Sequence, residues 1–230
     1  MEKADVLVIS PHPDDAEFGV AGTVAKWTAE GKKVVYAVVT DGSKGTSDTK
    51  ITPAELMAKR EQEQLDAAKL LGVSKVEFLR YPDQMLEDTP ALRLNIASLI
   101  RRYSPNIVVS ADPYRKYLWH RDHRITGQVV LDAVFPIARD YHASPELISE
   151  GLLPHRVAEV WLWGSEDINY RSDISQTFEK KIAALKCHKS QVEGLKNSGV
   201  ENRLQRRHRS MAEGHTFEYA EAFHVVKMPS

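Results

Sequence analysis

The 230-residue sequence has a single cysteine, Cys187, and no long apolar segment. One cysteine excludes an intramolecular disulfide framework and fits a reducing compartment, so we expect a cytoplasmic protein. The N-terminal residues run into a predicted strand rather than into the apolar stretch of a signal peptide. No apolar run approaches the roughly 18 residues that a membrane span needs, so we expect no membrane partner.

The sequence also lacks an excess of charge of either sign. Lys and Arg total 31 and Asp and Glu total 32, which gives a net charge of −1. A nearly neutral chain has no overall electrostatic attraction for nucleic acid, and we do not expect that partner. With 42% hydrophobic residues, the chain can fill one core, so we predict a single domain over residues 1–230.

Short β-branched segments alternate with longer amphipathic segments along the chain. The predicted strands are 4–10, 32–40, 76–79, 106–111 and 159–163. The predicted helices are 16–31, 53–71, 89–103, about 122–140 and 174–191. This alternation, with fully apolar strands, predicts an α/β fold: a three-layer Rossmann-like domain with a mainly parallel sheet.

The first strand is not followed by a glycine-rich phosphate-binding turn. His12, Asp14 and Asp15 stand where a dinucleotide-binding fold has G-x-G-x-x-G, and the glycines of 19–23 come later and do not match. Two carboxylates at the start of a helix repel a pyrophosphate and attract a cation. The turn therefore favours a metal ion over a dinucleotide and disfavours a dinucleotide-dependent oxidoreductase.

A second cluster, His120, Asp122 and His123, follows the fourth predicted strand. Ligands of open α/β sheets bind beyond the carboxyl ends of the strands, so the two clusters can converge. Zinc takes His nitrogen and carboxylate oxygen, and a catalytic zinc site has three protein ligands. We therefore predict that three of the six residues bind Zn²⁺ or another divalent transition metal. The metallo-β-lactamase motif H-x-H-x-D-H is excluded because it requires histidine at Leu118.

PHPDDAEFGVAGT at 11–23 and HRDH at 120–123 resemble the LmbE-like, or PIG-L, zinc-dependent de-N-acetylases. The resemblance continues through 40–46, 59–73 and 184–191 and covers nearly the whole chain. It implies a hydrolase that removes an N-acetyl group from an N-acetylglucosamine-type small glycoside or conjugate. It also implies a homo-oligomer.

By position, the resemblance implies that His12, Asp15 and His123 bind zinc. It implies that Asp14 is the general base that takes a proton from the attacking water. An amide is a poor electrophile and neutral water a poor nucleophile, so a metal ion and a base are both needed.

The resemblance assigns three further roles and shows two departures. His120 would stabilise the tetrahedral intermediate, Asp122 would orient the His120 ring, and Arg60 would contact the substrate sugar. Ser43 stands where many members have Glu, which leaves substrate contacts in that loop open. Arg121 stands where many have Pro, which changes the rigidity of the loop or adds a cation beside the site.

Two other function classes stay open. One is a metal-dependent amidase or esterase for another small acylated substrate. The other is a non-catalytic protein that binds zinc or a sugar. Asp14 favours catalysis, because a binding site needs metal ligands but no additional carboxylate beside them.

Overall fold

The strands form one seven-stranded sheet in a computed structural model that describes residues 2–117, 119–192 and 199–229. They are β1 Val6–Ser10, β2 Val34–Thr40, β3 Lys75–Tyr81, β4 Ile107–Ala111, β5 Glu159–Trp163, β6 Tyr170–Asp173 and β7 Ala220–Lys227. Their order is β3-β2-β1-β4-β5-β7-β6. Strands β1 to β5 pair in parallel, and β7 runs antiparallel to β5 and β6. The predicted mainly parallel α/β sheet is confirmed.

Helices cover both faces of the sheet. They are α1 Asp15–Gly19, α2 Ala21–Ala29, α3 Pro53–Leu71, α4 Pro90–Tyr103, α5 Arg121–Asp132, α6 Pro145–Ser149, α7 Phe178–Leu185, α8 Lys189–Val192 and α9 Val200–Ala212. A π-helical turn, Ala133–Ile137, follows α5, and a 3-10 turn covers Tyr141–Ala143. None of the helices described here has the length and apolar character that a membrane span requires.

Alternate residues of the central strands face two separate cores. Leu7 and Ile9 of β1 pack with α4 and α5 on one face. Val6 and Val8 pack with α2, α3 and α7 on the other. Because parallel strands buried on both faces read as continuous apolar runs, this arrangement explains why the strands lack alternation. The result is the three-layer architecture predicted from the sequence.

The predicted helix 16–31 is divided at Val20, where the backbone leaves the helical region at φ −143°. The carboxylate of Glu221 in β7 accepts hydrogen bonds from the backbone N–H groups of Gly22 (2.9 Å) and Thr23 (2.7 Å). These amides belong to the first turn of α2, where a negative charge is favourable. A cap from a distant strand thus begins a second helix that local periodicity did not indicate.

The C-terminal region departs most from the sequence-based prediction. The predicted helix 174–191 starts later, at Phe178, and is split into α7 and α8. Strands β6 and β7 and helix α9 were not predicted. β6 is short, with one buried residue, and β7 ends in partly exposed residues, so neither has the continuous apolar run that marks the central strands.

Candidate active site

The two polar clusters predicted from the sequence converge at one edge of the sheet. His12, Asp14 and Asp15 connect β1 to α1, and His120 to His123 begin α5 after β4. Strands β1 and β4 are parallel neighbours. Within the sheet, β2 is the neighbour of β1 on one side and β4 is its neighbour on the opposite side. The site therefore occupies the crevice where strand order reverses, the usual binding position in open α/β sheets.

Asp15 lies between two histidines. Its Oδ2 is 2.9 Å from His12 Nδ1 and 3.0 Å from His123 Nε2. Zinc ligands at about 2.0–2.2 Å in tetrahedral geometry lie roughly 3.3–3.6 Å apart, so side-chain shifts of about 0.5 Å convert these contacts into a ligand set. Other donor groups, His120 among them, lie within 4.8 Å of His12. The residues present thus fit a transition-metal ion.

The far side of the His12 ring faces two buried carboxylates. His12 Nε2 is 3.1 Å from Asp122 Oδ2 and 3.2 Å from Asp83 Oδ1. A carboxylate on the second nitrogen of a ligating histidine places the proton there and leaves the other nitrogen free for the metal. Asp83 was not among the residues predicted from the sequence.

The Asp122 carboxylate, predicted from the resemblance to orient the His120 ring, is in contact with His12 and with two backbone amides. Its carboxylate accepts from the backbone N–H groups of Gln84 (2.7 Å) and Leu86 (3.3 Å) as well as meeting His12. His120 instead accepts a hydrogen bond at Nδ1 from the backbone N–H of Asp122, 3.1 Å away. Asp122 is the second residue of α5, so its backbone N–H lacks a partner within the helix and is capped by the His120 ring, while its carboxylate meets His12.

Hydrogen bonds and neighbouring charges shift the pKa of His12 and the pKa of Asp15 in opposite directions. Burial opposes protonation of His12, but hydrogen bonds to Asp122, Asp15 and Asp83 raise its pKa to about 12. Burial likewise opposes ionisation of Asp15, but the His123 and His12 charges hold the pKa of that carboxyl well below its usual range. Asp15 is therefore an ionised carboxylate, the state that a metal ligand requires.

Asp14 has a left-handed backbone, with φ +97°. This conformation is uncommon for a residue with a side chain and is held by its surroundings. Its N–H donates to Oε1 of Gln64 at 3.0 Å, and its Oδ1 lies 3.4 Å from the Arg60 guanidinium. Burial and the adjacent Asp15 charge raise the pKa of Asp14 to about 7, while Arg60 opposes that rise.

Arg60, predicted to contact the substrate sugar, lies beside Asp14. The side chain is buried, with 3% of the residue exposed. Its two terminal nitrogens donate to the carbonyls of Gly42 (2.9 Å) and Pro13 (2.5 Å). Both carbonyls belong to loops that follow strand ends, so Arg60 holds those loops and the Asp14 carboxylate in place. Arg121, the departure noted above, donates to the carbonyl of Leu86 and ties the start of α5 to a neighbouring loop.

A family model described as PIG-L, GlcNAc-PI de-N-acetylase, matches residues 7–134, more than half of the chain. The chain belongs to the PIG-L family. Diacetylchitobiose deacetylase of Thermococcus kodakarensis is 39% identical over 186 residues, which cover 81% of this chain and 69% of that protein. A Bacillus anthracis protein named probable N-acetyl-alpha-D-glucosaminyl L-malate deacetylase 2 is 30% identical, with 81% and 80% coverage.

A solved structure agrees with the PIG-L assignment. N,N'-diacetylchitobiose deacetylase from Pyrococcus horikoshii matches with a TM-score of 0.92 and 32% identity, covering 97% of this chain and 84% of that one. The predicted resemblance and fold class are confirmed. The predicted enzyme class, a deacetylase, is also supported by the family and its relatives.

Three buried polar side chains form a hydrogen-bonded chain behind Asp14 that was not predicted from the sequence. Gln64 Nε2 donates to both carboxylate oxygens of Glu17, at 3.0 and 3.2 Å, and His188 Nε2 lies 3.0 Å from the same carboxylate. Gln64, Glu17 and His188 are each fully buried. The one local signal was the spacing of Gln64, four residues after Arg60 and so on the same face of α3.

A cavity of about 180 Å³ opens beside the metal donors. Asp15 and His123 form part of its wall, and Phe18, Trp119 and Trp163 supply aromatic surface. Trp119 is held by a hydrogen bond from its indole N–H to the carbonyl of Asp112, at 2.8 Å. Apolar walls beside convergent polar groups are typical of small-molecule sites.

Proposed function

We propose that this PIG-L protein is a zinc-dependent hydrolase that removes the N-acetyl group from an N-acetylglucosamine-type small glycoside or conjugate. One observation carries the proposal. A buried carboxylate, Asp14, adjoins a second carboxylate, Asp15, that is in contact with two imidazole nitrogens. Relatives named as deacetylases of N-acetylated sugar compounds support the substrate class.

His12 Nδ1, Asp15 Oδ2 and His123 Nε2 would hold the metal ion. Two imidazoles and one carboxylate form a donor set that zinc favours over magnesium or calcium. When bound, zinc supplies a Lewis acid that polarises the amide carbonyl and lowers the pKa of water. Asp122 and Asp83 keep the His12 ring oriented from its far side.

Asp14 would be the general base. It holds a carboxylate oxygen beside the metal donors, where it accepts the proton of the attacking water and then returns it to the departing amine nitrogen. Its carboxylate is restrained by Arg60 and its backbone by Gln64. Asp14 and Asp15 are adjacent in sequence, so one can bind the metal while the other moves a proton.

His120 would stabilise the oxygen that becomes negative. Its Nδ1 accepts from the Asp122 amide, so the proton of the neutral ring lies on Nε2. Its ring centroid is 4.8 Å from that of His12 and 5.6 Å from that of His123. A preorganised donor of this kind stabilises the transition state by a few kcal/mol.

The test compares Asp14→Asn with wild-type protein, each loaded with zinc or treated with a chelator. Released acetate is measured over a panel of N-acetylated amino sugars and their conjugates. We expect Asp14→Asn to keep its zinc and to lose roughly 10²–10⁴ of kcat. Asp48→Asn, a change at an exposed carboxylate, is the matched control. Full activity in Asp14→Asn would remove the general-base assignment, and zinc binding without acetate release from any substrate would favour a non-catalytic binding protein.

Two finer predictions accompany this function. We propose zinc as the bound ion, and metal analysis of the purified protein distinguishes it from other divalent transition metals. We also propose a homo-oligomer in the cytoplasm, which light scattering of the purified protein and fractionation of cells can test.

A further inference from the structure

The cavity beside the metal donors has a largely apolar lining. Its wall is formed by residues of α1, β5, α9 and the loop before α5, namely Phe18, Gly19, Trp163, Met211 and Trp119. The Trp163 ring lies directly against α1, because Gly19 has no side chain and a Cβ there would be 2.7 Å from the ring. The wall is therefore closely packed where α1 meets the end of β5.

The ionisable groups that also line this cavity are engaged elsewhere or reach water. Glu221 caps α2 and forms a buried ion pair with Lys181, at 2.6 Å. Burial lowers the pKa of His208 to about 4, so its ring is neutral near pH 7. The guanidinium carbon of Arg115 lies 4.5 Å from the centroid of an indole ring of the wall. Arg207 is exposed, so its charged end can stay hydrated while its stem covers apolar surface. The interior of the cavity thus suits an apolar group.

The cavity is larger than an acetyl group needs. Its volume is about 180 Å³, whereas an apolar cavity of roughly 150 Å³ already holds a benzene molecule, with its six carbon atoms. The part of an acetyl group that lies beyond its carbonyl is a single methyl. The volume therefore accommodates an acyl chain of about six carbons.

The chemistry of amide hydrolysis places the acyl group, rather than the amine, at this cavity. Asp15 and His123 belong to the cavity wall, whereas Asp14 and His120 lie outside it. In the hydrolysis the C–N bond breaks, the acyl carbon gains the oxygen of water, and Asp14 passes the water proton to the amine nitrogen. The nitrogen and its sugar must therefore lie on the Asp14 side of the metal donors. The acyl chain then extends past Asp15 and His123 into the cavity.

We propose that this cavity is an acyl pocket, and that the protein hydrolyses N-acyl amino sugars with chains of about four to six carbons faster than their N-acetyl counterparts. The inference rests on the proposed function, because it uses the same metal donors and the same general base. It adds a further activity, the removal of longer acyl groups. Each methylene that leaves water for the pocket should raise kcat/KM about fourfold, the factor that burial of one CH₂ group supplies.

The experiment uses the full-length, zinc-loaded protein and glucosamine that carries an N-acetyl, N-butyryl, N-hexanoyl or N-octanoyl group. Released glucosamine, the product common to all four compounds, gives kcat/KM for each. We expect kcat/KM to rise from acetyl to hexanoyl, by about fourfold per methylene, and to rise no further at octanoyl because the pocket is then full. Calorimetry with acetate, butyrate and hexanoate measures the pocket without turnover, and Kd should fall as the chain lengthens.

Met211 of α9 offers a variant that fills the pocket and one that widens it. Met211→Trp should lower the ratio of hexanoyl to acetyl kcat/KM about 10-fold or more, and Met211→Ala should extend the rise to octanoyl. Ser210→Trp is the matched control, because Ser210 is exposed on the same helix and lies outside the cavity wall, and the ratio should stay unchanged. Since each ratio is taken within one variant, a general loss of active protein does not affect it.

The outcomes separate the acyl pocket from the proposed function. A hexanoyl to acetyl ratio at or below one in wild-type protein would overturn the acyl pocket, as would a ratio that neither substitution of Met211 changes. Thermal unfolding confirms that each variant is folded. Absence of glucosamine release from all four compounds would contradict the proposed function. Tighter binding of hexanoate than of acetate would then leave the pocket standing, and equal binding would overturn it as well.

Discussion

Gln64→Met tests whether the buried polar chain behind Asp14 positions the general base. Methionine has nearly the same shape as glutamine but neither accepts from the Asp14 N–H nor donates to Glu17. The substitution removes a 3.0 Å hydrogen bond to the Asp14 amide and contacts of 3.0 and 3.2 Å to a fully buried carboxylate. The perturbation is therefore confined to hydrogen bonding.

The structure sets the expected size of the effect. A buried N–H without a partner costs about 1–3 kcal/mol, and a hydrogen bond to a charged group contributes about 1.5–3 kcal/mol. We expect the free energy of unfolding to fall by about 3–5 kcal/mol, which for a chain of this length lowers Tm by roughly 6–20 °C. Asp14 holds a strained backbone at φ +97°, and strain of about 1–3 kcal/mol favours relaxation once its amide is released. A displaced carboxylate should lower kcat about 10-fold or more.

The assay combines thermal unfolding, zinc content and kinetics of acetate release. Gln62→Met is the matched control, because Gln62 is an exposed residue of the same helix whose side chain donates to Asp66, at 3.0 Å. A positioning role predicts that Gln64→Met lowers kcat with zinc content and KM little changed, whereas general loosening would change all three. Wild-type Tm and kcat in Gln64→Met would refute this reasoning.

Two further predictions concern stability and metal affinity. Burial lowers the pKa of His208 from 6.5 to about 4, so the unfolded chain binds a proton that the folded chain does not. Stability from this group should be complete above about pH 6.5 and fall by about 3 kcal/mol toward pH 4. Urea unfolding of His208→Gln should lack this component, and identical pH dependence would contradict it. In Gly127→Ala the new Cβ would lie 2.3 Å from the Ala111 carbonyl, so α5 must move with His123. Chelator competition should show weaker zinc binding, and unchanged affinity would argue against this coupling.

The central strands could be predicted because the residues of each strand, taken alone, indicate a buried strand. The residues of β1 and β2 are all buried, and most of them are apolar and β-branched. The break at Val20 could not be predicted, since the carboxylate that caps α2 belongs to Glu221, 199 residues beyond Gly22. Long-range hydrogen bonds of this kind leave no trace in the helix that they begin.

Some features of the candidate site could likewise be predicted from the sequence, and others could not. The convergence of the two clusters could be predicted because each one lies beyond the carboxyl end of an apolar strand, whereas the choice of His12, Asp15 and His123 as metal ligands came from the family resemblance and stays a prediction. Asp83 and the role of Asp122 could not be predicted, because their contacts with His12 depend on how two loops meet across the sheet. Arg60 stays a predicted substrate contact; its burial beneath the Asp14 loop could not be predicted, because it follows from the packing of α3.

The most direct test of the metal centre is the structure of the zinc-loaded protein at the zinc absorption edge. We expect one anomalous peak per chain, with His12 Nδ1, Asp15 Oδ2 and His123 Nε2 each about 2.0–2.2 Å from it. His123→Ala should lose that peak and the stoichiometric zinc. A peak elsewhere, or full zinc retention by His123→Ala, would contradict this assignment of the metal ligands.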